Sequence, residues 1–229
     1  MSKPYSKVIV ALDHDHPDKA KALVDEVGSL IEWYKIGPVL FTRSGQELIR
    51  FLRERNKKIF LDLKLHDIPN VVAKTVEEVA EMGVQYLTIH SLGGRKMMEE
   101  ASSACRGLPL KLLAVTMLTS HSTEEFHELG FRGDSESMVL HLQQMAMESR
   151  CAGIVCSAHE IKRIRQSSVP GFLLVTPGIR LKDREVYQDD QSRVATPSEA
   201  IEWGADQIVV GRPITGAREP RQVVENLFG

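Results

Sequence analysis

The amino-acid sequence predicts an α/β fold, a (β/α)8 TIM barrel that forms a single domain over residues 1–229. Eight short apolar runs rich in β-branched residues recur along the chain, and segments of helical period separate them. This alternation favours a parallel sheet covered by helices on its outer side. Eight repeats favour closure of the sheet into a barrel, with an open doubly wound sheet as the alternative.

The predicted strands are short, as buried parallel strands usually are. They span residues 8–12, 33–36, 59–63, 86–90, 112–117, 153–156, 172–176 and 207–210. No stretch between them is rich enough in glycine, proline or serine to act as a linker, which supports one domain.

Helical period is clearest in three of the intervening segments, at residues 47–54, 72–82 and 137–148. Thr196, followed by a proline and then by Glu199, has the pattern of a helix N-cap with a capping box. Ser122 and Glu125 repeat the capping box, and Gly130 is placed to end that short helix.

Two connections, at residues 118–134 and 181–195, are longer than usual for this fold. The second is densely charged and has no apolar periodicity. Because loops after barrel strands lie at the catalytic mouth, this segment is a candidate lid. The alternative is a surface excursion without a catalytic role.

Composition excludes several classes of function. The formal net charge is −2 and no basic block occurs, so a nucleic-acid partner is not expected. No run approaches the roughly 20 apolar residues of a membrane span, and the N-terminus lacks the pattern of a signal peptide. The three cysteines form no CxxC pair, which suits a reducing compartment and predicts a cytoplasmic protein; Cys151 and Cys156 are expected in the core.

The third predicted strand carries the most informative motif, KIFLDLKLHD at residues 58–67. Side chains alternate along a strand, so Asp62 and Lys64 are predicted to share one face, with Asp67 following in the loop. Buried charges cost several kcal/mol per ion and are seldom needed for stability alone. The motif therefore indicates a reactive site, although a simple salt bridge at a strand end is the alternative.

Most predicted strands end in a polar residue or glycine, and in a parallel barrel all these ends share one mouth. The candidates are Asp13, Lys35, Gly37, Asp62, Lys64, His90, Thr119, Gly178, Arg180, Gly211 and Arg212. The last two strands are each followed by glycine and arginine, which suit a phosphate because glycine admits backbone amides and arginine offers a fork of donors. This placement predicts a phosphorylated substrate.

The histidines carry less information. Asp13 to His16 read Asp-His-Asp-His, but consecutive residues of an extended segment point alternately, so one substrate-facing Asp13 is favoured over a metal site. His90 fits a core histidine slightly better than a direct role, and His66 fits either a residue that tunes the neighbouring acids or a solvent-facing one.

These motifs together resemble the orotidine 5′-phosphate decarboxylase family. The resemblance runs in order through VALD ending at Asp13, KIG ending at Gly37, FLDLKLHDIPN from Phe60 to Asn70, VCSAH ending at His159, TPGIR ending at Arg180 and VGR ending at Arg212. The D-x-K-x-x-D core also occurs in related sugar-phosphate barrels, whereas the DIPN continuation and the two phosphate loops are more specific.

The resemblance implies loss of CO2 from orotidine 5′-phosphate to give UMP, the last step of pyrimidine nucleotide synthesis, without metal or cofactor. It implies that Lys64 protonates C6, that Asp62 positions Lys64, and that Asp67 enters the site of the partner subunit in a homodimer with shared active sites. The other implied roles are ribose binding by Asp13 and Lys35, with Lys35 also pairing with Asp62, a hydroxyl near the pyrimidine from Thr119, a phosphate grip from Arg180, Gly211 and Arg212, and a lid contact from Gln191.

One position departs from the family pattern, which has threonine after DIPN where this chain has Val71. One hydrogen bond is therefore expected to be missing, which bears on efficiency more than on the reaction. Two other functions stay open from the residues: a metal-dependent decarboxylase or aldolase of sugar phosphates, and a non-catalytic barrel that senses a nucleotide.

Overall fold

The computed structural model describes residues 4–118, 123–181 and 195–228. Within these residues, eight parallel strands form a closed barrel in the order β1 to β8. Closure comes from the pairing of β1 with β8, in which Val10 lies opposite Val210. The predicted (β/α)8 TIM barrel is confirmed, and the pairing excludes the open doubly wound sheet.

All eight predicted strands are present. They are β1 (Val8–Ala11), β2 (Trp33–Ile36), β3 (Lys58–Leu65), β4 (Tyr86–His90), β5 (Lys111–Val115), β6 (Gly153–Val155), β7 (Leu173–Thr176) and β8 (Gln207–Val210). The bounds differ most at β3, which continues to Leu65, and at β5, which ends at Val115.

The described helices lie between the strands and after β8. They are α1 (Pro17–Val27), α2 (Pro38–Glu54), α3 (Pro69–Glu81), α4 (Gly94–Ala104), α5 (Thr123–Glu128), α6 (Ser135–Glu148), α7 (Ile161–Ser167), α8 (Pro197–Glu202), α9 (Arg212–Thr215) and α10 (Pro220–Glu225). The predicted capping box of Thr196 and Glu199 is confirmed at the start of α8. α5 ends just before Gly130, whose φ of 85° is left-handed, whereas Ser122 lies outside the described residues.

The apolar core has two parts. A large cluster fills the space between strands and helices and includes all three cysteines, which are free thiols. A smaller cluster fills the barrel interior: Ile9, Ala11, Trp33, Phe60, Tyr86, Leu113, Val175 and Val209. The rings of Trp33 and Tyr86 stack there with centroids 4.4 Å apart. This packing closes the lower barrel, and the charged residues Lys35, Asp62 and Lys64 lie above it, toward the C-terminal ends of their strands. No helix among the described residues is long and apolar enough to cross a membrane.

A polar clamp fastens α7 to the lower ends of β7 and β8. The Arg165 guanidinium donates to the backbone oxygen of Gly204 at 2.6 Å and to that of Phe172 at 2.9 Å. It also pairs with Asp206 at 2.6 Å, and the same carboxylate oxygen accepts the Leu174 N–H at 2.8 Å. The clamp lies at the barrel end opposite the mouth.

We expect Arg165→Ala to lower the free energy of unfolding by about 1.5–3 kcal/mol, because it removes charge-assisted hydrogen bonds to three partners. Urea unfolding measures the change. The matched control is Arg163→Ala on the same helix, which breaks an exposed pair with Glu136 and should cost less than about 1 kcal/mol. Equal effects of the two substitutions would contradict a structural role for the clamp.

Candidate active site

A cavity of about 460 Å³ opens at the C-terminal ends of the strands, the predicted mouth. Seven of the ten residues to which the family resemblance gives a role line it, together with the candidate Gly178: Asp13, Lys35, Asp62, Lys64, Arg180, Gly211 and Arg212. They come from β2, from β3 and from the segments that follow β1, β7 and β8. Barrel closure therefore brings together residues that are far apart in the chain.

Four charged side chains form a row along one wall of the cavity. The Lys35 ammonium lies 3.0 Å from Asp13 Oδ1 and 3.5 Å from Asp62 Oδ2. The Lys64 ammonium lies 2.9 Å from Asp62 Oδ1. Charges thus alternate in the order Asp13, Lys35, Asp62, Lys64, and each lysine neutralises a neighbouring carboxylate.

The centre of this row is nearly excluded from solvent, with 12% of the Lys35 side chain and 13% of the Asp62 side chain exposed. Burial alone would raise the pKa of Asp62, but the nearby lysines Lys35 and Lys64 outweigh it and the pKa falls below its usual value. Burial alone would lower the pKa of Lys35, but Asp62 and Asp13 reverse this effect and the pKa rises. Both groups are therefore charged at neutral pH.

β3 is irregular where it carries the reactive motif. Between Leu61 and Leu65 the strand advances four residues while its partner β4 advances two, from Leu87 to Ile89. Lys64 lies inside this bulge with φ of 50°, a left-handed conformation that is unusual for a lysine in a strand. Simple alternation predicted that Asp62 and Lys64 share a face; they do reach one cavity, but through a bulge rather than a regular strand.

The segments after β7 and β8, which lie next to β1 in the closed barrel, carry the predicted phosphate site. Gly178, Arg180, Gly211 and Arg212 all line the cavity. The Arg180 N–H donates to the Ala195 oxygen at 2.9 Å, which ties the segment after β7 to the residues before α8. At Gly211 a Cβ atom would lie 3.4 Å from Asp13 Oδ2, so a larger residue would crowd the charged row.

The cavity also has an apolar wall, which the sequence analysis did not identify. It consists of Val115, Met117, Leu118, Val155 and Pro177, with Phe60 and Val209 below. The first five belong to β5 and β6 or to the segments that follow β5 and β7, whereas Phe60 lies in β3 and Val209 in β8. Such a surface suits a flat, weakly polar ring, and inward alternation along β5 and β6 was the signal that could have revealed it.

The other three residues with an implied role are not brought into this cavity by the described chain, and the candidate Gly37 does not line it either. Asp67 is exposed in the loop before α3, does not line the cavity, and accepts the Ile68 N–H at 2.6 Å. Thr119 and Gln191 lie outside the described residues. Most of the candidate lid at 181–195 also lies outside them.

The rings of His66 and His90 stack on each other with centroids 5.5 Å apart, and neither lines the cavity. The His90 Nδ1 atom accepts the Leu92 N–H at 3.3 Å, so this ring has a local structural contact. Of the residues Asp13 to His16, Asp13 alone lines the cavity. No group of three or more potential metal ligands occurs among the residues described.

Sequence analysis also missed Thr88, which is fully buried in β4 beside the charged row. Its hydroxyl contacts the Asp62 carboxylate at 3.0 Å. Thr88 shares the alternating face of β4 with Tyr86, which lies in the barrel interior, and this alternation was the available signal.

Comparisons with known proteins agree with this arrangement. The sequence model of the orotidine 5′-phosphate decarboxylase / HUMPS family matches residues 6–227. The chain is 44% identical over 226 residues to the orotidine 5′-phosphate decarboxylase of Legionella pneumophila (strain Lens), covering 97% of each chain. It is 39% identical over 229 residues to that of Saccharophagus degradans, covering 99% of this chain and 95% of the relative.

Among solved structures, the orotidine 5′-phosphate decarboxylase from Lactobacillus acidophilus superposes with a TM-score of 0.84 at 37% identity, covering 97% of each chain. A family match over nearly the whole length and identity well above 30% lead to the same assignment. The chain belongs to the orotidine 5′-phosphate decarboxylase / HUMPS family.

Proposed function

We propose that the protein is a carboxy-lyase that converts orotidine 5′-phosphate to UMP and CO2, with Lys64 as the proton donor to C6 of the pyrimidine. Family membership and the 44% identity support the reaction, a step of pyrimidine nucleotide synthesis. The observation that carries the role of Lys64 is the position of its ammonium, which pairs with Asp62 at 2.9 Å. Lys64 lines a cavity that also contains an apolar wall and the proposed phosphate residues.

The difficult species in this reaction is a carbanion at C6, because its charge lies in the ring plane and is poorly delocalised. A fixed ammonium beside C6 stabilises that charge as CO2 leaves and then supplies the proton that replaces the carboxyl group. Lys64 fits this role because Asp62 and the bulge of β3 restrict where its ammonium can lie. We therefore propose that this enzyme needs neither a metal nor a cofactor for the reaction.

The proposed role of Asp62 is twofold. It holds Lys64, and its negative charge lies where the substrate carboxylate would approach. Asp67 of the partner subunit is proposed to add a second negative charge, so that loss of CO2 relieves repulsion between carboxylates. Lys35 stabilises Asp62 and, with Asp13, offers donors and acceptors to the ribose hydroxyls.

The phosphate is proposed to bind Arg180, Gly211 and Arg212 in the segments after β7 and β8. This position leaves the apolar wall for the pyrimidine and the charged row for its C6 end. Binding energy from the phosphate can then orient the reacting end, although the two ends of the substrate do not touch the same residues. Thr119 and Gln191 remain proposed contacts to the pyrimidine and to the closed lid.

Asp67 and its surroundings support the proposed homodimer with shared active sites. Asp67 is exposed outside the cavity of its own chain, so it is available to a partner. Large apolar side chains are exposed at or near the starts of the helices after β2, β3 and β4: Val39, Ile68, Val71 and Leu92. A second copy of the chain that packs on these side chains would bury apolar surface. Its own Asp67 would then lie at the interface, within reach of this chain's site. Val71, where the family pattern has threonine, belongs to this surface.

A cytoplasmic location is part of the same proposal. Cys105, Cys151 and Cys156 are free thiols buried in the core. Burial raises the pKa of Cys151 to about 12, so this thiol stays protonated and unreactive at neutral pH. These properties suit a reducing compartment.

The first test is Lys64→Ala, with loss of the ultraviolet absorbance of orotidine 5′-phosphate as the assay. We expect the wild type to turn over in the presence of EDTA and the variant to lose turnover, because it lacks the proton donor. UMP binding, measured by calorimetry, should persist because the phosphate contacts are elsewhere. The control is Lys96→Ala, whose side chain is 81% exposed outside the cavity. Near-normal turnover by Lys64→Ala would rule out this proton donor.

Arg212→Ala should weaken substrate binding more than it slows the bound reaction. Loss of a charge-assisted contact to phosphate corresponds to a fall in kcat/KM of about 10- to 100-fold, mostly through KM. Steady-state kinetics measure the split. Arg218→Ala, an exposed arginine of the same region that does not line the cavity, is the matched control. An unchanged kcat/KM would remove Arg212 from the phosphate site.

Mixing of two inactive variants tests the shared site. Lys64→Ala and Asp67→Asn homodimers should each be nearly inactive, since every site contains one lesion. If Asp67 enters the partner's site, a mixed dimer has both lesions in one site and leaves the other intact. Random exchange makes about half the dimers mixed, so roughly one site in four should regain activity. No recovery, with exchange confirmed by mass spectrometry, would show that Asp67 does not complete the partner's site.

A further inference from the structure

Thr88 is the β4 residue that lies opposite the bulge of β3. Its side chain points into the barrel and is 0% exposed. The register leaves Asp62 and Lys64 without regular ladder partners at this point, because β3 has two more residues than β4 between the flanking pairs. The hydroxyl of Thr88 occupies the space where regular backbone pairing is lost.

A closed ring of hydrogen bonds passes through this hydroxyl. The Lys64 backbone N–H donates to Thr88 Oγ1 at 2.8 Å, and the hydroxyl donates to Asp62 Oδ1 at 3.0 Å. The same carboxylate oxygen accepts from the Lys64 ammonium at 2.9 Å. Thr88 thus connects the backbone of Lys64 to the carboxylate that holds the ammonium of Lys64.

Both hydrogen bonds of Thr88 act on strained or buried groups. The φ of 50° at Lys64 is costly for a residue with a Cβ atom and needs support from its surroundings. The Asp62 carboxylate is nearly excluded from water, so protein donors must supply the hydrogen bonds that water would otherwise give it. Because Thr88 is fully buried, bulk water cannot take over if the hydroxyl is removed.

We propose that Thr88 is a positioning residue for the decarboxylation: its hydroxyl holds the Lys64 backbone and the Asp62 carboxylate in the geometry that aims the Lys64 ammonium at the substrate. This inference rests on the proposed role of Lys64 as proton donor. Thr88 itself does not touch the reacting atoms. It acts through Lys64 and Asp62, and its contribution is to the reaction of the bound substrate rather than to phosphate binding.

The test compares three variants of the full-length enzyme. Thr88→Val keeps the branched shape and removes the hydroxyl, whereas Thr88→Ser keeps the hydroxyl. The matched control is Thr116→Val, which removes another buried hydroxyl, bonded to the Val155 oxygen at 3.3 Å at the end of β5. The readouts are kcat, KM, the dissociation constant of UMP, and hydrogen exchange of the peptide that covers residues 61–66.

We expect Thr88→Val to lower kcat by about 10- to 100-fold, as loss of a hydrogen bond to a charged group implies. The UMP dissociation constant should change by less than about twofold, since the phosphate site lies across the cavity. Hydrogen exchange of 61–66 should rise because the Lys64 N–H loses its acceptor. Thr88→Ser should recover most of kcat, and Thr116→Val should retain wild-type kcat.

A kcat of the Thr88→Val variant within about twofold of the wild-type value would overturn the inference, because the expected loss of kcat is about 10- to 100-fold. So would equal losses of kcat and UMP affinity, or a Thr88→Ser variant as slow as Thr88→Val. If Thr88→Val fails to fold, Thr88→Cys keeps a small side chain with a weak donor and should still lower kcat; wild-type kcat would overturn the inference. These results are distinct from the Lys64→Ala test, in which retained turnover would instead contradict the proposed proton donor.

Discussion

The buried carboxylate of Asp62 is the constraint on which the site depends. A charge with so little contact with water is stable only if it is paired and hydrogen-bonded inside the protein. Lys35 on β2, Lys64 on β3 and Thr88 on β4 supply these partners. Asp13, after β1, balances Lys35 in turn. Four adjacent strands are therefore coupled through one carboxylate, and the parallel barrel is the structure that brings their ends together.

The irregularity of β3 has a place in the same arrangement. A regular strand would pair its backbone fully with β4 and leave no N–H for a side-chain hydroxyl. The bulge interrupts that pairing and places Lys64 at a positive φ. The Lys64 N–H then donates to the Thr88 hydroxyl, which replaces one of the missing backbone hydrogen bonds. Local strain of this kind is typical of sites in which geometry matters more than stability, and the rigid apolar packing below the cavity supports it.

Binding and chemistry are assigned to different parts of the barrel. Arginine and glycine residues after β7 and β8 form the wall proposed for the phosphate, and the alternating charges on β1 to β3 form the wall proposed for the reaction. Apolar side chains from β5 to β7 line the same cavity and leave room for a flat ring. This separation explains how binding energy from one end of a substrate can serve the other, and why the exposed Asp67 fits a site completed by a second subunit.

Much of this organisation was predictable from sequence because it depends on local pattern. Apolar runs alternating with helical segments predicted the eight strands, and charges at strand ends predicted that Asp62, Lys64 and the two arginines share a mouth. The bulge at Lys64 and the contact of Thr88 with Asp62 were decided only by tertiary structure. The physical reason is that periodicity specifies which face a side chain occupies, whereas register, backbone strain and the partner of a buried charge depend on a neighbouring strand that is distant in sequence.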